Sequence, residues 1–97
     1  MSRIEFHPEA LLELEAAQAW YRERDLLLAR AFGAEIVRAI STISDHPDRF
    51  PRNRGNEHRL VLQQFPFSII YRIRDNDVFV TAVAHQRRRP NYWRSRK

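Results

Sequence analysis

The 97-residue sequence predicts a single α+β domain, an N-terminal strand and an antiparallel helical hairpin packed on a small antiparallel sheet in the order β-α-α-β-β-β, followed by a basic tail. Three observations carry that expectation. Apolar residues recur at helical spacing through the first half of the chain and give way to short runs rich in Ile, Val and Phe in the second. Proline and turn residues fall at the changes of pattern. The positive charge is segregated: residues 1–84 hold eleven Arg against twelve Asp and Glu, whereas residues 85–97 hold five Arg, Lys97 and no acid.

Taken in order, Ile4 and Phe6 alternate with Arg3 and Glu5, the pattern of a half-buried strand. Pro8 suits the first position of a helix, where its missing N–H costs nothing, and Glu9 favours the positive end of the helix dipole. From there Ala10, Leu14, Ala17 and Tyr21 form one face, flanked by Leu11, Leu12 and Trp20, and alanines at 16, 17 and 19 permit close approach of another element. The pattern lapses over residues 22–27. A second stripe follows at Leu28, Phe32, Ile36, Ala39, Ile40 and Ile43, so the pair reads as an antiparallel hairpin that ends near Asp45 and His46, ahead of Pro47.

Residues 46–58 carry two prolines, a glycine and Arg49, Arg52 and Arg54, and read as a loop. Strands are expected at 59–64, 67–73 and 78–84, separated by Phe65-Pro66 and by the turn at 74–77. Connections this short make an antiparallel meander.

Composition excludes several classes. With no cysteine there is no disulfide framework and no thiolate zinc site, which fits a reducing compartment, and the expected address is the cytoplasm. No apolar run has the length of a membrane span, and the N-terminus lacks the apolar core of a signal peptide. His7, His46 and His58 are scattered without metal-ligand spacing, so neither a metal nor another cofactor is expected. The basic end points to an anionic partner, either nucleic acid or an acidic protein.

The stretches FHPEALLELEAAQAWY, HPDRFPRNRG, FPFSIIYRI and AVAHQRRRPNYW, in this order and spacing, resemble the RelE/ParE superfamily of toxins from bacterial type II toxin–antitoxin modules, over nearly the whole chain. The resemblance implies a growth-inhibiting toxin neutralised by a cognate antitoxin that wraps it, hence a hetero-oligomer. Trp20, Tyr21, Arg59 and Arg72 are the expected antitoxin contacts. RelE-like members cut mRNA on the ribosome; ParE-like members are described as inhibitors of DNA gyrase.

Metal-independent RNA cleavage needs a base, an acid and a fixed cation. For such chemistry the sequence offers His85 as acid or base, since imidazole titrates near neutrality. Glu57 could serve as a base, Arg59, Arg72 and Arg87 as phosphate cations, and Tyr92 as a stacking ring. RelE-like nucleases usually begin the corresponding strand with arginine, and here the position is Ser68. Arg72 lies on the same strand face four residues on, roughly 13 Å away. The strand ending YRI, the preceding FP and the run HQRRRP look more like the ParE and plasmid-stabilisation branch. Gyrase inhibition without catalysis is therefore favoured, with Arg87, Arg88, Arg89, Tyr92 and Trp93 as target contacts. A ribosome-dependent nuclease using His85, Arg72 and Arg87 is the alternative, and a basic nucleic-acid-binding module is a third reading. Trp93 has a structural reading as well, an anchor that folds the tail back onto the domain.

Overall fold

The computed structural model describes residues 2–53 and 55–97, so Arg54 of the loop lies outside the described residues. The order is β1 (Ile4–Phe6), α1 (Pro8–Arg24), α2 (Leu26–Asp45), β2 (Glu57–Val61), β3 (Phe67–Arg74) and β4 (Asp77–His85). Both helices cover one face of a four-stranded sheet of order β1-β4-β3-β2. No helix among the described residues is long and apolar enough to cross a membrane.

The hairpin turns on one residue. Asp25 closes α1 by donating its backbone N–H to the Tyr21 carbonyl at 2.8 Å, and it opens α2 by accepting the Leu27 N–H on its side chain at 2.9 Å. Residues 22–27, where the sequence pattern lapses, are therefore helical except for Asp25. The expected stripe of α2 begins one residue late, because Ala29 is buried and Leu28 is exposed.

The sheet is mixed where the sequence suggested an antiparallel one. β2, β3 and β4 form the expected meander, but β1 pairs with β4 in parallel, Ile4 opposite Val78 and Phe6 opposite Val80. Topology forces this. An even number of helices returns the chain to the end where β1 began, as the bond from the Ser2 N–H to the Ser44 carbonyl shows at 3.0 Å. β2 then runs in the same direction as β1, and so does β4 two hairpins later. Only β3 runs the other way, and both its edges are taken.

β2 starts two residues before the expected strand and ends before Gln63 and Gln64. Their backbone N–H groups donate to the buried Glu35 carboxylate at 2.5 and 3.2 Å, which removes them from the ladder. The β3–β4 turn matches expectation: Asp75 and Asn76 hold φ of 50° and 72°, the conformation of a tight two-residue hairpin that Asp and Asn tolerate.

Strand alternation separates two cores. Towards the helices Leu60, Ile69, Tyr71, Val78, Val80 and Val83 meet Ala10, Ala17, Phe32, Ile36 and Ile43. An aromatic group of Tyr21, Phe32, Phe65 and Phe67 closes its upper end, with Phe32 at 5.1, 5.2 and 5.5 Å from the other three ring centres. A bulge at Thr81 shifts the register between Ile70 and Tyr71 and turns Ala82 and Ala84 to the opposite face. There they pack with Ile70 against Trp93.

Phe32 is fully buried at the centre of the aromatic group. Phe32→Ala should lower unfolding free energy by about 3–5 kcal/mol, a large part of the stability of a domain this size, as read from urea denaturation.

Candidate functional site

The candidate surface is built where α1 passes the unpaired part of β4. β1 pairs only as far as Val80, so β4 continues to His85 with an open edge. Glu13, three residues after buried Ala10 and four before buried Ala17, shares the inward face of α1 and reaches that edge. Its Oε1 accepts the Val83 N–H at 2.9 Å and an Arg96 N–H at 3.0 Å. Its Oε2 accepts the Tyr92 hydroxyl at 2.7 Å and the second Arg96 nitrogen at 3.0 Å. Arg96 donates again to the Thr81 carbonyl at 3.0 Å. One carboxylate thus joins the first helix, the sheet edge and the C-terminal segment.

That segment is ordered against the sheet face that the helices leave uncovered. Trp93, 2% exposed, fills the space over Ile70, Ala82 and Ala84. Arg72 donates to the Arg96 carbonyl at 2.6 Å, and Arg94 lies 3.9 Å from Glu57. The tail is an anchored strap, so Trp93, expected among the target contacts, faces inward because its ring completes the second apolar core. Tyr92 is half-buried beneath Arg88, whose guanidinium sits 3.9 Å from the ring centre.

Arg87, Arg88 and Arg89 are exposed on a turn at the end of β4. His85 shapes that turn: its Nδ1 accepts the Arg87 N–H at 3.0 Å and its carbonyl accepts the Arg88 N–H at 3.0 Å. The imidazole rests edge-on against Phe67 at 5.0 Å. Beside the turn lies an open, mainly apolar groove of about 440 Å³ between α1 and the sheet end, with Phe67, Val83 and His85 on one wall and Ala16, Ala17 and Glu13 on the other. Trp20 stands at its rim, 51% exposed, while Tyr21 is buried in the aromatic group and contributes floor.

The residues assigned from sequence to a nuclease do not all come together. His85 is opposite Phe67 and Arg72 is opposite Phe79, five residues apart along β3, hence roughly 17 Å apart and on opposite faces. Arg87 stays with His85. Arg72 shares its face with Glu57, its cross-strand partner, and with Arg59. Glu57, Arg72 and Arg94 line a separate open hollow with Gly55 and Asn56. Ser68, on that face as the even spacing from Arg72 required, is buried. The expected antitoxin contacts likewise divide, with Trp20 and Tyr21 at the groove and Arg59 and Arg72 on the opposite face. Glu13 was missed by sequence reasoning, although a carboxylate in register with the buried alanines was its signal.

All three phenols hold their protons more tightly than usual, Tyr21 through burial. Burial, reinforced by the Asp48 charge, pushes Tyr71 up to about 12, and its hydroxyl donates to the Pro47 carbonyl at 2.6 Å. Burial and the bond to Glu13 raise Tyr92 well above the ordinary range, against the lowering pull of Arg88 and Arg96. Burial alone would lower Arg96, but the bonds and charge of Glu13 outweigh it and hold the guanidinium above its usual value.

A family model described as the ParE toxin of the type II toxin–antitoxin system, parDE, matches residues 4–90. A solved structure of a chromosomal ParDE toxin–antitoxin system from P. aeruginosa is similar, with a TM-score of 0.74 at 17% identity over 88% of this chain and 96% of that one. No curated protein sequence matches.

The raised phenols set an alkaline limit. Each is protonated more fully in the fold than in the unfolded chain, where tyrosine titrates near 10. Their stabilisation is complete below about pH 10 and lost as pH rises, through about 12 for Tyr71. Urea unfolding between pH 8 and 11.5 should show a decline that Tyr71→Phe flattens, by up to about 1.4 kcal/mol per pH unit within that window.

Proposed function

The chain belongs to the ParE toxin family of type II toxin–antitoxin systems, and from that membership we propose that it arrests bacterial growth through DNA gyrase, acting in the cytoplasm without catalysis, and that a cognate antitoxin neutralises it in a hetero-oligomer. The observation that supports this target over the ribosome is the dispersal of the nuclease set. Arg87 stays with His85, but Arg72 lies on the opposite face of the sheet, so the three cannot converge on one phosphodiester. Ser68 occupies the position where RelE-like nucleases usually carry arginine.

Arg87, Arg88 and Arg89 are the proposed contact with the target. They are exposed on a turn that His85 and the end of β4 hold in shape, and Tyr92 supports Arg88 from below. The antitoxin reading draws on the groove beside them. Small alanines allow a helix or extended segment to approach closely, Trp20 and the aromatic floor supply apolar anchors, and the neighbouring arginines suit acidic residues of the partner. A partner that also meets Arg59 and Arg72 has to pass round to the other face of the sheet, which fits a wrapping segment that folds on binding.

One observation favours the runner-up, RNA cleavage. The hollow beside Glu57 places a carboxylate next to Arg72 and Arg94, a base with two cations. Among the described residues its lining includes no histidine, tyrosine or lysine as the acid that protonates the leaving 5′-oxygen, one of the three groups that the reaction requires.

Induction of the protein alone in bacteria, followed by pulse labelling of DNA and protein synthesis in parallel, separates the two. DNA synthesis is expected to fall first. Early collapse of translation would overturn the gyrase reading and direct attention to Glu57 and Arg72. Arg87→Glu combined with Arg89→Glu should weaken growth arrest roughly tenfold or more with no change in thermal stability. Substitution is preferred to deletion of residues 87–97, which would also strip Trp93 from the core it covers.

A further inference from the structure

The basic turn stands between two fixed points, the end of β4 and the strap that begins at Asn91 with φ of 66°. Trp93 secures the strap through the faces and edges of its ring: its indole N–H has no partner among the described residues, the surface beneath is made of Ile70 and two alanines, and the Arg59 guanidinium lies 5.7 Å from the ring centre. Such contact resists removal of the ring but tolerates sliding and rotation. Direction comes from polar groups, and those aimed across to the helix layer, Tyr92 and Arg96, converge on Glu13. Both belong to the segment beyond residue 90, where the family match ends. Neither Arg87 nor Arg89 is paired with a carboxylate among the described residues, so their charge remains available. Arg88, 3.8 Å from Glu13, links turn and latch.

We infer that Glu13 is a positioning residue for growth arrest: by clamping Tyr92 and Arg96 to α1 and the β4 edge it holds the basic turn in its outward-facing shape, and it touches no target itself. The inference rests on the proposed role of Arg87, Arg88 and Arg89. Glutamine at position 13 is the informative substitution. It has the same shape and keeps an acceptor for the Val83 N–H, but it loses the charge that binds both Arg96 nitrogens and the Tyr92 hydroxyl together. The fold of helices and central strands is retained while the strap loosens.

Hydrogen exchange of the full chain reads the latch directly, because the Arg94 and Arg96 amides are bonded to the carbonyls of Asn91 and Trp93 within the strap. In Glu13→Gln these amides should exchange about tenfold faster or more, with α2 and β3 unchanged. Plating after induction should show weaker growth arrest. Tyr92→Phe, which removes one donor and keeps the ring, should move both readouts less in the same direction. Glu13→Asp, which returns the charge on a shorter stem, should recover part of both. Wild-type protection of the strap in Glu13→Gln would overturn the latch. A loosened strap with full arrest, where Arg87→Glu with Arg89→Glu abolishes arrest, would overturn the positioning role. Full arrest in that arginine variant would show instead that the toxic surface lies elsewhere, leaving Glu13 nothing to position.

Discussion

The carboxylate of Glu13 is the point at which helix, sheet and C-terminal segment become one body, and its necessity begins with a short strand. β1 spans three residues and β4 nine, so among the described residues most of β4 has no strand partner on its outer side. Backbone groups on such an edge need partners wherever water is shut out. Glu13 meets the Val83 N–H and Arg96 meets the Thr81 carbonyl, and each neutralises the other. A half-buried charge is tolerable only when paired and hydrogen-bonded, and here the pairing partner is the strap itself. Edge, clamp and strap are therefore coupled through one carboxylate.

Much of the fold was legible because local chemistry and global arrangement agree. Pro8 starts a helix, Pro47 follows one, and Asp75-Asn76 makes the hairpin turn that its neighbours require. The departures have definite causes. The helical pattern seemed to lapse over 22–27 since exposed hairpin tips need no apolar stripe, and Asp25 can cap two helices at once. β2 was placed too late because Gln63 and Gln64 look like strand residues; Glu35, far away in sequence, takes their N–H groups. The parallel pairing of β1 follows from counting helices, a rule of connection rather than of composition.

The site was legible in its exposed part and hidden in its supporting part. A run of three arginines announces itself, and it is exposed as expected. What holds it does not, because Glu13 and Arg96 are 83 residues apart and neither stands out in its own segment. The Thr81 bulge is equally silent: it shifts alternation by one residue and so decides that Ala82 and Ala84 floor the seat of Trp93. Face assignments made without it scatter the residues of β4 wrongly. His85 and Arg72, both reasonable in a nuclease list, were never tested for face by composition, and alternation along β3 separates them.

The segregated charge takes a different meaning once contacts are known. Glu13, Glu35 and Glu57 turn inward to backbone and tail groups, so the acids of the body shield the surface less than their number implies. The six cations of the tail divide as well. Arg96 is committed to Glu13 and Thr81, Arg94 lies against Glu57, and Arg88 is shared between Tyr92 and Glu13. Lys97 is exposed at the end of the strap, and Arg87 and Arg89 remain on the turn with their charge uncommitted among the described residues. The turn therefore presents a compact pair of guanidinium groups in a braced geometry, where a flexible hexavalent arm would have offered more charge and less geometry. The position of that pair depends on where the turn is held, so the internal carboxylates shape the surface as directly as the arginines do.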